Sequence, residues 1–158
     1  MQRAVLATMT WTSLLALIGC APKPATVADL TFPVVVIFGT TAAALYRDAA
    51  DLGEMSIGHL NAQNGSPPLI DSSFVVYRLD KLASTHSSMW LMTHPTGTTS
   101  VTFELARAET SGIDAARRLL RARLDEQTWR DDLDDARRAI ATGNDLAAMF
   151  AAVKGGGK

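Results

Sequence analysis

The hydrophobic period of this chain switches from two to about 3.6 near Ala108, and nothing else constrains the fold as tightly. Residues 73–79 (SFVVYRL) alternate, with Phe74 and Val76 on one face and Val75, Tyr77 and Leu79 on the other. Both faces are apolar, which predicts a strand that is central in its sheet or lies under a helical layer. In 98–105, Val101, Phe103 and Leu105 point one way while Ser100, Thr102 and Glu104 point the other, as in an antiparallel strand with one solvated face. Between them, 89–93 (MWLMT) reads as a third strand, joined around His94-Pro95-Thr96-Gly97, and the three would form a meander.

Past the switch, helical stripes take over. Ile113, Ala116, Leu120 and Leu124 make one, Trp129, Leu133, Ala136 and Ile140 a second, and Leu146, Met149, Phe150 and Val153 a third. Ser111 with Asp114, and Thr128 with Asp131, have the spacing of a capping box, Gly143 is placed to end the second helix, and Asn144 can start the third. Strand period first and helix period last predict an α+β fold, a small antiparallel sheet followed by about three C-terminal helices, with Trp129 in the helical core.

The segment before residue 73 is less regular. Residues 30–38 (LTFPVVVIF) read as a buried strand with Pro33 tolerated near its start. Gly39-Thr40-Thr41 then offers a turn and a cap, and Ala42, Leu45, Ala49 and Leu52 follow helical spacing up to Gly53. Met55, Ile57 and His59 alternate, which suggests a short strand before 61–68 (NAQNGSPP), a loop by composition.

The first twenty residues, MQRAVLATMTWTSLLALIGC, combine one cation, Arg3, with an uncharged apolar run too short to span a bilayer comfortably. The run ends in Leu17-Ile18-Gly19-Cys20, and this box resembles the processing site of bacterial lipoprotein signal peptides. The resemblance covers the leader alone. It implies cleavage before Cys20, acylation of its thiol, and attachment of the mature protein to a lipid bilayer. Two or more acyl chains at about 0.8 kcal/mol per buried methylene hold where one does not. It also implies an outer-membrane destination facing the periplasm, since Ala21 stands where an aspartate would favour inner-membrane retention. The organisation expected is a leader over 1–19, a lipidated tether over 20–28 bearing Pro22 and Pro24, one domain over 29–154, and a frayed glycine tail over 155–158. Cys20 is the sole cysteine, so no internal disulfide exists.

At 158 residues, 47% hydrophobic and 20% charged, the chain is globular and long enough for one core. A net charge of −1 with interspersed signs argues against nucleic acid as a partner, because phosphate contacts call for a basic face. His59, His86 and His94 lack the short spacings of a zinc site, and Asp71 and Asp80 flank a strand at positions that read as exposed turns. Ser72, Ser73, Ser84, Ser87 and Ser88 lie in no nucleophile elbow, and Gly39 alone does not make a phosphate loop. Arg117, Arg118, Arg121 and Arg123, followed by a run of aspartates, read as a self-compensating solvated surface. No catalytic, cofactor or metal residue is therefore nominated; lipid attachment at Cys20 is the one site. The function expected is a membrane-anchored envelope lipoprotein that binds or scaffolds another envelope protein. The alternative is a small periplasmic enzyme or ligand-binding module, its site built from loops 61–68 and 84–97.

Overall fold

The computed structural model describes residues 24–39, 42–63 and 65–155. Cys20, the leader and residues 156–158 of the tail lie outside them. The chain enters as β1 (Pro24–Ala25), a short 3-10 turn at Val27–Asp29, β2 (Val34–Phe38) and β3 (Ala42–Tyr46). Next come α1 (Ala49–Leu52), β4 (Glu54–Ser56), α2 (Ile57–Ala62), β5 (Pro68–Asp71) and β6 (Val76–Ser84). After α3 (Ser88–Thr93) and β7 (Thr98–Arg107), the chain closes with α4 (Ile113–Asp125), α5 (Leu133–Thr142) and α6 (Leu146–Lys154). This is the α+β fold that the change of period predicts. Folded structure reaches back to Pro24, inside the segment read as tether, because Pro24 and Ala25 pair with Ala106 and Leu105.

The seven-stranded sheet runs β1-β7-β6-β5-β2-β3, with β4 also on β7, and every pairing is antiparallel. Alternation sorts its side chains into two cores. Val35, Ile37, Ile70 and Val76 face the helical layer, where they meet Ala116, Leu120, Leu124, Ile140, Met149 and Val153. Val34, Val36, Phe38, Leu69, Tyr77, Leu79 and Leu105 face the other way and share a second core with Tyr46, Leu52, Met55 and Leu60. The second core takes Tyr46 from β3 and Met55 from β4, at opposite edges of the sheet, so the sheet curls round it, and the short connection through α1 closes one side. β2 is buried along its whole length because both faces are covered.

Several expectations from sequence are corrected here. Residues 42–46 form a strand rather than the start of a helix: Phe38 pairs with Ala42 and Val34 with Tyr46 in a hairpin. Only Ala49–Leu52 is helical, with Asp48 as its cap accepting from the Asp51 amide at 2.8 Å. Ile57 and His59 lie in α2, not in a strand, and the expected loop gives up Asn61 and Ala62 to that helix and Pro68 to β5. Residues 89–93 are helical, started by Ser87, so they add no strand; the meander is made instead by β5, β6 and β7, with α3 between the last two. The strand expected over 73–79 starts only at Val76, with Ser73, Phe74 and Val75 in the turn before it, yet the sides hold: Phe74 and Val76 pack toward the helices, and Val75, Tyr77 and Leu79 toward the inner core.

Asp71 is also not an exposed turn residue; it is 1% exposed. Its carboxylate accepts from the backbone amides of Ser73 (3.0 Å), Val75 (2.8 Å) and Thr31 (3.3 Å). This closes the β5–β6 turn, in which Phe74 takes a φ of 61°, a conformation that side chains seldom adopt unless the surroundings hold it. Buried carboxylates persist where several donors satisfy them, and this one has three.

In the helical layer the correction is Trp129. It is 78% exposed, in the turn between α4 and α5, and α5 begins only at Leu133. The place in the core that periodicity gave to Trp129 is held by Arg130, 8% exposed overall. Its Nη1 donates to the carbonyls of Ala152 (2.9 Å) and Val153 (2.8 Å) and to Gln127 Oε1 (3.1 Å), while Nε and Nη2 reach both oxygens of Asp132 at 2.8 and 2.7 Å. The last turn of a helix leaves carbonyls without intrahelical donors, and the planar guanidinium supplies them for α6.

Candidate functional site

Two places combine exposure with uncommon chemistry. The first is the tip of the β6–β7 hairpin. Residues 82–103 contain no Asp, Glu, Lys or Arg. Within them α3 stands on the hairpin with Met89 77% and Met92 81% exposed. Trp90 is sandwiched between two imidazoles: its ring centroid lies 4.0 Å from that of His86 and 4.4 Å from that of His94, at interplanar angles of 22° and 12°. His86 Nδ1 is 2.9 Å from Thr99 Oγ1, which is itself 2.7 Å from Ser84 Oγ, so the stack is tied to the end of the sheet. His94 Nδ1 lies 3.0 Å from both the Trp90 carbonyl and Thr93 Oγ1, which ties it to the end of α3. With Trp90 occupied on both faces, the Met89 and Met92 side of the short helix stands exposed among the described residues.

The second place is a cleft of 490 Å³ between the turn end of β3, α2 and the C-terminal ends of α4 and α6. His59 forms its inner wall. The imidazole stacks on Phe38 with centroids 5.0 Å apart and planes 10° from parallel, and Nδ1 is buried with no hydrogen-bond partner. Burial holds the His59 pKa below its ordinary value, so the ring is neutral at neutral pH. A buried N–H without an acceptor costs more than a buried lone pair, so the proton sits on Nε2 and an N–H donor faces the cleft. Arg123 and Lys154 line it against a single carboxylate, Glu126, and exposed Trp129 stands at the mouth. Gln127 and Val153, two further wall residues, are the partners of Arg130, so the clamp that finishes α6 also sets the shape of this cleft.

The three histidines thus serve separate places: His86 and His94 flank one tryptophan, and His59 stacks on Phe38 elsewhere. Among the described residues no three His, Cys, Asp or Glu side chains are grouped as a metal would need. Among the described residues, none of loops 61–68 and 84–97 lines the cleft, whose described parts come from β3 and helix ends that lie far apart in sequence. Its described wall holds no serine, threonine or cysteine, and Nδ1 of its one imidazole has no hydrogen-bond partner. The arginine-rich face of α4 divides: Arg117 donates to the Gly143 carbonyl at 2.9 Å, Arg123 faces the cleft, and Arg118 and Arg121 are exposed. Comparison with protein families, with curated proteins and with solved structures returns no match.

Proposed function

We propose that this chain is an envelope lipoprotein, held at a bilayer through acylated Cys20, that acts as a noncatalytic interaction module and presents the β6–β7 tip to a partner. The observation that carries the reading is the uncharged tip with Met89 and Met92 almost wholly exposed. Unpartnered apolar side chains gathered on one projecting element mark contact surfaces, and methionine adapts to irregular apolar partners. Geometry supports the direction of contact. β1 lies against Leu105 and Ala106 at one end of β7, and the tip begins at Thr98, roughly 25 Å away along the strand at about 3.3 Å per residue. An anchor four residues before Pro24 therefore holds one end of the domain near the membrane and turns the tip away from it, toward an apolar groove on another envelope protein.

Site-specific photocrosslinking in intact cells tests this. A crosslinker at position 89 or 92 should give the same discrete adduct, one at position 118 should not, and Met89→Ser with Met92→Ser should abolish capture while leaving the denaturation midpoint unchanged. Adducts from position 118 alone would overturn it. The anchoring part is tested separately: the wild-type chain should incorporate palmitate and fractionate with outer membranes, and Cys20→Ser should do neither.

A further inference from the structure

We infer that the cleft between α2 and the ends of α4 and α6 is a binding site for a small aromatic anion, a planar ring carrying a carboxylate or a comparable acidic group. It depends neither on lipidation nor on the tip.

A space of 490 Å³ falls within the range of about 300 to 1,000 Å³ typical of small-molecule sites. Its rings come next. The His59 ring, backed by the buried Phe38 on which it stacks, forms a flat inner wall, Phe150 adds a second ring, and Trp129 offers an indole that buries little against its own protein. A large aromatic side chain left outside a core that has room for Leu133, Ala136 and Ile140 nearby is a free stacking face, and a planar ligand would cover it. Charge selects among planar ligands: two cations, Arg123 and Lys154, face one carboxylate, Glu126. The neutral His59 ring contributes a donor on Nε2, since its other nitrogen is sealed from solvent and from any partner. Donors and positive charge at the wall, with rings at the floor and mouth, match a ligand whose acidic group sits by Lys154 and Arg123 while its ring lies along Trp129. A cationic or purely aliphatic ligand would leave one half of that lining unmatched.

The test uses the full chain and naphthalene-2-carboxylate as probe, followed by calorimetry and by the indole N–H resonance of Trp129. Saturable one-to-one binding is expected, with that resonance shifting along the titration. Naphthalene-2-carboxamide, which keeps the ring without the charge, and acetate, which keeps the charge without the ring, should each bind at least about tenfold more weakly. Trp129→Ala and Lys154→Glu should each weaken the naphthoate by about tenfold, whereas Met89→Ser with Met92→Ser should leave its affinity unchanged. Absence of saturable binding at millimolar probe, or binding indifferent to both Trp129→Ala and Lys154→Glu, would overturn the assignment. Binding lost in the methionine variant would overturn it too, and would transfer the probe to the tip.

Discussion

The α4–α6 layer and the hairpin tip each carry polar side chains beside a tryptophan, and they treat them in opposite ways. In the layer the polar group is Arg130, taken inside and satisfied at every face by Ala152, Val153, Gln127 and Asp132. In the tip His86 and His94 stay exposed, stack on Trp90, and leave the Met89 and Met92 side uncovered. The first arrangement stabilises by closing off helix ends. The second orders a short helix without burying it, which leaves an organised surface free for contact.

The widest gap between the two should appear on removing Arg130. Arg130→Met leaves two carbonyls and the Gln127 amide oxygen without their donor, and a loss of about 3 kcal/mol in unfolding free energy is expected by chemical denaturation. The same variant should change the acid limb of the stability curve. Arg130 holds the Asp132 pKa below its ordinary value, so this pairing stabilises fully above the ordinary carboxylate range and is lost as pH falls through the lower folded value. Wild type should therefore lose stability with acidification more steeply than Arg130→Met. Parallel curves would show that the pair adds nothing to the clamp.

Asp71 gives the sheet an equivalent fixed point, and Asp71→Ala should cost about 2 kcal/mol because three amides lose their acceptor. Released from those bonds, Phe74 is expected to leave its positive φ, with increased hydrogen exchange at the Ser73 and Val75 amides as the local sign.

The tip should respond on a smaller scale. Trp90→Ala removes the ring on which both imidazoles stack, yet it should cost less than about 1 kcal/mol globally, since little apolar area is buried there. The effect should be confined to faster exchange over α3, with the α4–α6 amides unchanged. A global loss as large as that of Arg130→Met would erase the distinction between the two regions.

The same contrast explains what could be read in the sequence. The faces of β7 and the stripes of α4 and α6 were legible because each has one apolar side against one core, and those of β6 because its alternate residues fill two cores, which is what periodicity reports. β3 was not, because AAALY carries helical propensity and its i, i+3 spacing continues into Ala49 and Leu52. Hairpin pairing with β2 overrides that local preference, and small side chains at 42–44 suit an edge with helices close by. α3 was missed for the reverse reason: Met, Trp and Thr suit a strand, but Ser87 caps the Trp90 amide at 3.3 Å and no neighbouring strand competes. Asp71 and Arg130 are recognised only through partners distant in the chain or in the last turn of another helix. The cleft is hidden in the same way, since it is assembled from four elements and only His59 had been singled out for possible chemistry.

The smallest expected effect is the most discriminating for the site. Trp129→Ala removes a side chain that periodicity assigns to the core, where such a loss costs about 3 to 5 kcal/mol. At 78% exposure it instead gives up little buried area, and its neighbour Arg130 already makes the contacts that hold the turn. The unfolding free energy should stay within about 0.5 kcal/mol of wild type, as for surface substitutions in general. A folded, equally stable Trp129→Ala protein is also what makes the probe experiment decisive, because any loss of naphthoate affinity then belongs to the mouth of the cleft and not to a weakened fold. A midpoint that falls by the full core value would return Trp129 to the helical interior and remove the stacking face from the site.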